Sequence, residues 1–162
     1  MPSGAAAVLS TLANSYADAL ISVSKTVGIE VEFTKSDMIN GINAPGSNLA
    51  VLIGLIGHDV HGSVAMMSDL PSFEAYVESF TCGTVKPSLD DPMSMSVLGE
   101  VTNMISGQAL IKANIPDIRI TPPQVLSGNN IKTMPAKADV KSLTLPFKIR
   151  DGRLYLILSV YY

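Results

Sequence analysis

The sequence is poor in cysteine and in long apolar runs, and both shortages narrow the classes of protein it can represent. Its one cysteine, Cys82, can form no disulfide within the chain. This fits a reducing compartment, and we predict that Cys82 is a small buried apolar side chain. No apolar run approaches the ~20 residues that span a bilayer, and the alanine-rich N-terminus lacks the basic start of a signal peptide. These features favour a cytoplasmic protein with no membrane segment.

Charge is also scarce, and it shows no basic excess. Only 15% of the residues are charged, and 11 Lys and Arg stand against 14 Asp and Glu, a net charge of −3. A nucleic-acid-binding protein needs a basic patch to neutralise phosphates, so we expect no nucleic acid as a partner. Apolar residues make up 47% of the 162 residues, which indicates a large core and predicts a single domain over residues 1–162.

Hydrophobic periodicity predicts the elements in chain order. Apolar spacings of three and four over 8–27 indicate an amphipathic helix, and alternation over 29–33 indicates a half-buried strand. Residues 35–47 are polar and are predicted to be a loop. The later elements are predicted as a hairpin over 48–57 and 60–67, a short helix opened by Asp69 and Pro71, a long helix over 92–112, a strand at Ile118 and Ile120, and a hairpin over 140–149 and 153–161 with its turn at Asp151-Gly152.

The order helix, strand, hairpin occurs twice in this list, with the short helix between the two copies. It predicts an α+β fold with an internal pseudo-repeat, in which a mainly antiparallel sheet carries the two long helices on one face. The two copies share little sequence, so the repeat is a prediction about architecture alone.

The second long helix carries a polar stripe. Ser96, Glu100, Asn103 and Gly107 follow one another at helical spacing, so Glu100 and Asn103 project side by side, about one turn apart. On spacing alone, a solvated helix face is the simpler interpretation, because no His, Lys or second carboxylate completes a catalytic set. Another face of this helix is predicted to be apolar apart from one glutamine, with Val97, Val101, Met104, Ile105 and Gln108.

Two glycines lie beside the polar stripe in the middle of the helix. Gly99 and Gly107 each cost ~1 kcal/mol of helix stability relative to alanine. A helix that tolerates this cost at two positions indicates the close approach of another backbone.

A longer composite motif changes the interpretation of the stripe. The chain resembles the CheX branch of the CheC/CheX/FliY chemotaxis phosphatases, whose pattern is Ser/Asp-x3-Glu-x2-Asn with a Pro-Pro pair about twenty residues further on. The order of elements is similar along nearly the whole chain. The matching residues are Ser96-x3-Glu100-x2-Asn103, Met104-x2-Gly107, Ile120-Thr-Pro-Pro123, Val125-x-Ser-Gly128 and the Gly54-x2-Gly57 to Gly62 hairpin.

This resemblance implies a function, a partner and a site. Such proteins dephosphorylate the response regulator CheY, so the implied partner is a phosphorylated CheY-type receiver domain. Asn103 would orient the attacking water and Glu100 would pair with a receiver lysine, while Ser96, Gly99 and Gly107 would contact the partner. No cofactor of its own and no metal ligand are expected, because Mg²⁺ would belong to the receiver. A homodimer is also expected.

The first long helix has only part of the motif. In Thr11-x2-Asn14 a threonine stands where the motif has glutamate, so we do not extend the site to Asn14. The functional alternative to a phosphatase is a non-catalytic receiver-binding adaptor or a flagellar-switch-type interaction module.

Three further features have simple structural interpretations. His58-Asp59-x-His61 resembles a metal-binding spacing, but no fourth ligand is evident and a polar turn explains it. Pro122-Pro123 is predicted to be a structural break beside the active helix. The eight methionines suit either a pliable binding surface or core packing, and core packing is the simpler interpretation.

Overall fold

The computed structural model describes residues 4–135 and 137–161, which form three α-helices and one antiparallel sheet of eight strands. The predicted α+β class is confirmed. The elements are α1 Ala5–Thr26, β1 Glu32–Phe33, β2 Ile39–Asn40, β3 Leu49–Ile56, β4 His61–Ser68, α2 Leu70–Phe80, α3 Pro92–Ala113, β5 Arg119–Ile120, β6 Gln124–Ser127, β7 Lys141–Ile149 and β8 Gly152–Tyr161.

The helices cover one face of the sheet. α1 and α3 pack against each other, and α2 packs against α3 and β8. Their buried side chains join those of the four long strands in one apolar cluster, in which Leu12, Tyr16 and Phe147 have no exposed surface. The other face of the sheet has a smaller cluster around Met67 and Ile157, against which loop residues pack.

The strand order displays the predicted pseudo-repeat. β4 and β8 pair at the centre of the sheet, with β3 outside β4 and β7 outside β8. The short strands β1 and β2 pair with β7, whereas β5 and β6 pair with β3. Each half of the chain therefore adds its short strands to the hairpin of the other half, which ties the two halves into one sheet.

The two long helices of the repeat also correspond residue by residue. When Asn14 of α1 is aligned with Asn103 of α3, five core positions are buried in both helices, although buried Ser15 and Ala19 fall on exposed Met104 and Gln108. The alignment pairs Leu9 with Leu98, Leu12 with Val101, Ala13 with Thr102, Tyr16 with Ile105, and Leu20 with Ala109.

The predicted turn of the final hairpin needs correction. The final hairpin turns at Arg150-Asp151 instead of Asp151-Gly152, with Arg150 in the left-handed region at φ 47°. Gly152 is the first residue of β8, and a side chain there would collide with Ser72 at the start of α2. Gly152 is therefore required by its contact with the start of α2 and not by the turn.

The region before β3 is more regular than its composition indicates. The predicted loop over 35–47 contains a 3₁₀ turn at Lys35–Asp37 and the two-residue strand β2. Of the strand predicted over 29–33, only Glu32–Phe33 pairs. Elements of two or three residues are too short to leave a periodic signal in the sequence.

Cys82 and α1 also differ from expectation. Cys82 is exposed, because it follows the C-terminus of α2 in a left-handed conformation at φ 52°.

α1 has the length of a membrane-spanning helix, and its most apolar 18-residue stretch has a mean hydropathy of 1.2. Polar residues interrupt this stretch, so it contains no long unbroken apolar run. Half of the stretch is buried inside the protein. Packing against α3 and the sheet accounts for its apolar composition.

Two core tyrosines predict how stability responds to alkaline pH. Burial raises the pKa of both Tyr16 and Tyr76 to about 12, and at Tyr76 the hydrogen bond with the Ser24 hydroxyl, 2.6 Å between the oxygens, opposes the shift. Tyrosine in an unfolded chain ionises near pH 10, so the folded protein retains these protons to higher pH. Their stabilising effect is complete below pH 10 and is lost as the pH rises toward 12.

We expect the free energy of unfolding to fall by about 1 kcal/mol per buried tyrosine between pH 9 and pH 11. Urea denaturation at the two pH values measures this loss, which should be smaller for Tyr16→Phe. An equal loss in Tyr16→Phe would contradict the prediction.

Candidate functional site

α3 begins and ends where its sequence predicts. The Asp91 side chain accepts a hydrogen bond from the Met93 amide at 3.0 Å, and Pro92 occupies the first helical position. The helix ends at Asn114, which is left-handed at φ 51°. These two signals hold α3 to Pro92–Ala113, within one residue of the predicted range.

Buried side chains fix the rotation of α3 about its axis. Val101 and Ile105 have no exposed surface, and neither does Thr102, which faces β4. The Thr102 hydroxyl lies 2.6 Å from the Leu98 carbonyl, to which it donates, and 3.4 Å from the Met66 sulfur. Because this face is committed to the core, the polar stripe must point outward.

The structure brings four predicted site residues to the surface of α3. Ser96, Glu100 and Gly107 are exposed and Asn103 is partly exposed. The Ser96 hydroxyl donates to the Met93 carbonyl at 2.7 Å, so its oxygen remains able to accept a hydrogen bond. Within residues 4–135 and 137–161, no hydrogen bond or ion pair engages the side chain of Glu100 or Asn103. Both groups are thus available to a partner.

Glu100 is also electrostatically isolated on its helix. The next charged residue of α3 is Lys112, twelve positions and about 18 Å along the axis. The carboxylate therefore presents a single negative charge, which suits a cation on an approaching molecule.

The prediction that Gly99 contacts the partner needs correction. Gly99 is buried, and a Cβ at this position would lie 3.3 Å from a methyl carbon of Val125 and 3.7 Å from the Pro123 ring. The segment that approaches α3 here is this chain's own β6 and the proline before it, and it does so through side chains rather than through its backbone. Gly107, by contrast, has nothing within 4 Å of the Cβ position and is open to a partner.

The proline pair lies in the break between β5 and β6. Thr121 anchors this break to β3, because its hydroxyl accepts a hydrogen bond from the Gly54 amide at 2.8 Å and its amide donates to the Gly54 carbonyl at 3.0 Å. Pro123 then packs beside Gly99, whereas Pro122 is exposed. β6 and the Thr121 anchor leave no signal in the sequence, since four residues after two prolines carry too little pattern.

Met104 departs from the predicted apolar face. Its side chain is 36% exposed, whereas Val97, Val101 and Ile105 are buried. The buried arc of α3 is centred between Val101 and Leu98, and Met104 falls outside it, on the side of Glu100.

The site is a helix surface rather than a cavity. A cavity of about 740 Å³ lies beside α1 and is lined by residues such as Leu9, Ala13 and Met38, with Asn14 among them. Glu100 and Asn103 do not line it. A carboxylate and an amide on an open helix can bind a cation and a water molecule, but a partner must supply the walls of any reaction pocket.

The corresponding surface of α1 lacks this chemistry. Thr11 and Asn14 are both exposed, and the Thr11 hydroxyl donates to the Ala7 carbonyl at 3.1 Å. A neutral, internally bonded hydroxyl cannot replace the charge of Glu100, so α1 presents an amide without a carboxylate.

The histidines do not form a metal centre with their neighbours. His58 and Asp59 are exposed in the β3–β4 turn, with 3.8 Å between the imidazole Nε2 and the carboxylate. His61 instead stacks on Tyr161, with ring centroids 5.8 Å apart. Among the described residues, no group of three or more His, Cys, Asp or Glu side chains is placed to hold a metal ion.

Comparison with known proteins identifies relatives of this fold. The family model for chemotaxis phosphatase CheX matches residues 49–148, which include α3, the proline pair and most of β7. This match confirms the resemblance inferred from the composite motif. Comparison with curated protein sequences gives no match.

Three solved structures share the fold over nearly the whole chain. A CheC-like superfamily protein from Shewanella sp. PV-4 is 25% identical, with a TM-score of 0.77 over 94% of this chain and 98% of that one. A chemotaxis protein CheX from Desulfovibrio desulfuricans is 23% identical, with a TM-score of 0.78 over 93% and 99%. CheX from Borrelia burgdorferi, solved in a CheX-CheY-BeF3-Mg²⁺ complex, is 20% identical, with a TM-score of 0.70 over 93% and 97%.

The different surroundings of Gly99 and Gly107 predict different effects of the same substitution. Gly107→Ala should raise the free energy of unfolding by about 0.5–1 kcal/mol, because alanine favours the helix and meets no neighbour. Gly99→Ala should gain less, since its methyl group would press on Val125. Chemical denaturation of both variants measures the difference, and an equal gain would show that β6 does not pack closely on α3.

Proposed function

The chain belongs to the chemotaxis phosphatase CheX family, and from this premise we propose that it hydrolyses the aspartyl phosphate of a phosphorylated CheY-type receiver domain. The observation that carries the proposal is the outward-facing pair of Glu100 and Asn103 on a helix whose rotation the core fixes. Neither side chain has a hydrogen-bond partner among the described residues, so both are available for intermolecular contacts.

Asn103 is proposed to position the attacking water. Inserted beside the phosphoryl group, its side-chain oxygen accepts a hydrogen bond from the water and holds it in line with the bond that breaks. The water oxygen bonds to phosphorus as the phosphorus–oxygen bond to the aspartate breaks, which releases phosphate and restores the aspartate carboxylate. An amide does not titrate near neutral pH, so its contribution is positioning rather than general base catalysis.

Glu100 is proposed to align the receiver. Its carboxylate lies about one helical turn from Asn103 and would pair with the lysine beside the receiver's phosphorylation site. A charge-assisted hydrogen bond of this kind adds direction as well as attraction. Ser96 and Gly107 lie on the same exposed stripe, where Gly107 lets a partner backbone approach closely.

The receiver is proposed to supply the Mg²⁺ ion of the reaction. The Borrelia burgdorferi relative was solved with CheY, BeF3 and Mg²⁺, and by analogy the Mg²⁺ here would be held by the receiver. The chain then needs no cofactor of its own. Family membership is likewise the basis for proposing that residues 1–162 act as one domain, as a homodimer in the cytoplasm.

Asn103→Ala should separate catalysis from binding. We expect the turnover number with phosphorylated receiver to fall at least about 10²-fold, with little change in the affinity for the receiver. Phosphate release measures the first quantity and titration with a beryllofluoride-activated receiver the second. Asn14→Ala, at the corresponding position of α1, is the matched control and should keep full activity. Full activity of Asn103→Ala would rule out the assigned role.

Glu100→Lys should instead weaken binding. Placing a lysine against the receiver lysine is expected to raise the dissociation constant at least about tenfold through like-charge repulsion. Glu78→Lys makes the same charge change at an exposed position of α2 and should bind as the wild type does. Unchanged complex formation by Glu100→Lys in the same titration would exclude the proposed ion pair.

A further inference from the structure

The exposed face of α3 is unusually apolar for a helix that faces water. Met93 and Ile111 are 64% and 81% exposed, and Met104 lies at the edge of the same surface. Single exposed apolar side chains are ordinary, but three of them lie in line on one face of this helix, and exposed apolar surface of this kind is typical of interaction sites. We call these three residues the α3 ridge.

The ridge lies in line with Glu100. At 100° per residue, Met93, Glu100, Met104 and Ile111 fall within an arc of about 40° of the helix. Met104 is one turn beyond Glu100 and directly follows Asn103 in the chain. From Met93 to Ile111 the ridge extends about 27 Å along the axis, so Glu100 lies within it and Asn103 lies beside its middle.

The pseudo-repeat provides an internal comparison. In the alignment of Asn14 with Asn103, Ser22 of α1 corresponds to Ile111 of α3 and is exposed and polar. Ser15 corresponds to Met104, but Ser15 is buried, whereas Met104 is exposed. A long helix that covers this sheet therefore does not require an exposed apolar side chain at either position. The helix that has Glu100 exposes one at both.

We propose that the α3 ridge is the apolar part of the receiver-docking surface, with Met104 and Ile111 as its anchors. This rests on the proposed function and extends it from the catalytic pair to the determinants of affinity. A receiver that engages Glu100 and Asn103 must cover Met104, which adjoins both. A second copy of this chain seated on the ridge would cover the catalytic pair and exclude the receiver. Methionine and isoleucine contribute through buried area, so the ridge acts on affinity and leaves the chemical step to Asn103.

The test compares the Met104→Ala/Ile111→Ala double variant with Met134→Ala. Met134 is 82% exposed, like Ile111, but lies outside α3 and serves as the matched control. Alanine keeps the helix propensity of α3 high, and both side chains are removed from solvent-facing positions, so folding should be unaffected. The readouts are the dissociation constant for a beryllofluoride-activated, Mg²⁺-loaded CheY-type receiver, the turnover number at saturating phosphorylated receiver, and the sedimentation coefficient.

We expect the double variant to bind at least about tenfold more weakly, with an unchanged turnover number at saturation and an unchanged sedimentation coefficient. Met134→Ala should match the wild type in all three. Equal receiver binding by the double variant and the wild type would overturn the proposal and leave the proposed function intact. A changed sedimentation coefficient with unchanged receiver binding would also overturn it and assign the ridge to self-association. If receiver binding depends on the ridge but the wild type hydrolyses no aspartyl phosphate, the result would support the docking proposal and refute the proposed phosphatase activity.

Discussion

The packing of α3 against the core is the constraint on which the site depends. Leu98, Val101 and Ile105 have no more than traces of exposed surface, and Thr102 faces the centre of the sheet. Together they leave the helix one possible rotation. Glu100 and Asn103 follow from that rotation, because side chains three positions apart on a rigid helix keep a fixed relation. The site needs no supporting hydrogen bonds of its own, since the apolar face positions it.

The pseudo-repeat shows how one architecture yields two different helix surfaces. α1 and α3 share a buried pattern, yet they differ at a few outward positions and at the contact with the neighbouring short strand. Gly99 permits β6 to pack against α3, while the corresponding Ser10 of α1 lines an open cavity. Threonine at position 11 leaves α1 without the negative charge that Glu100 gives α3. Symmetry in the fold is thus compatible with a single proposed active surface per chain.

Sequence reasoning predicted those features that local chemistry controls. Asp91 and Pro92 gave the start of α3, and long alternating runs gave the two hairpins. It failed where distant contacts decide the outcome. Gly152 is a glycine because α2 begins against it, and β6 forms because Thr121 anchors the chain to β3. Gly99 and Met104 were assigned to the wrong surroundings because a helical wheel gives the angle between residues but not the width of the buried arc.

The central claim is that the chain is a catalyst and not only a binder of phosphorylated receivers. The most direct measurement follows phosphate release from an excess of phosphorylated CheY-type receiver with a substoichiometric amount of this protein. We expect acceleration with many phosphates released per chain, because attack by a water molecule that Asn103 orients leaves the protein unchanged after each cycle. A complex that depends on the phosphoryl group, with no change in the lifetime of the aspartyl phosphate, would contradict it and identify an adaptor.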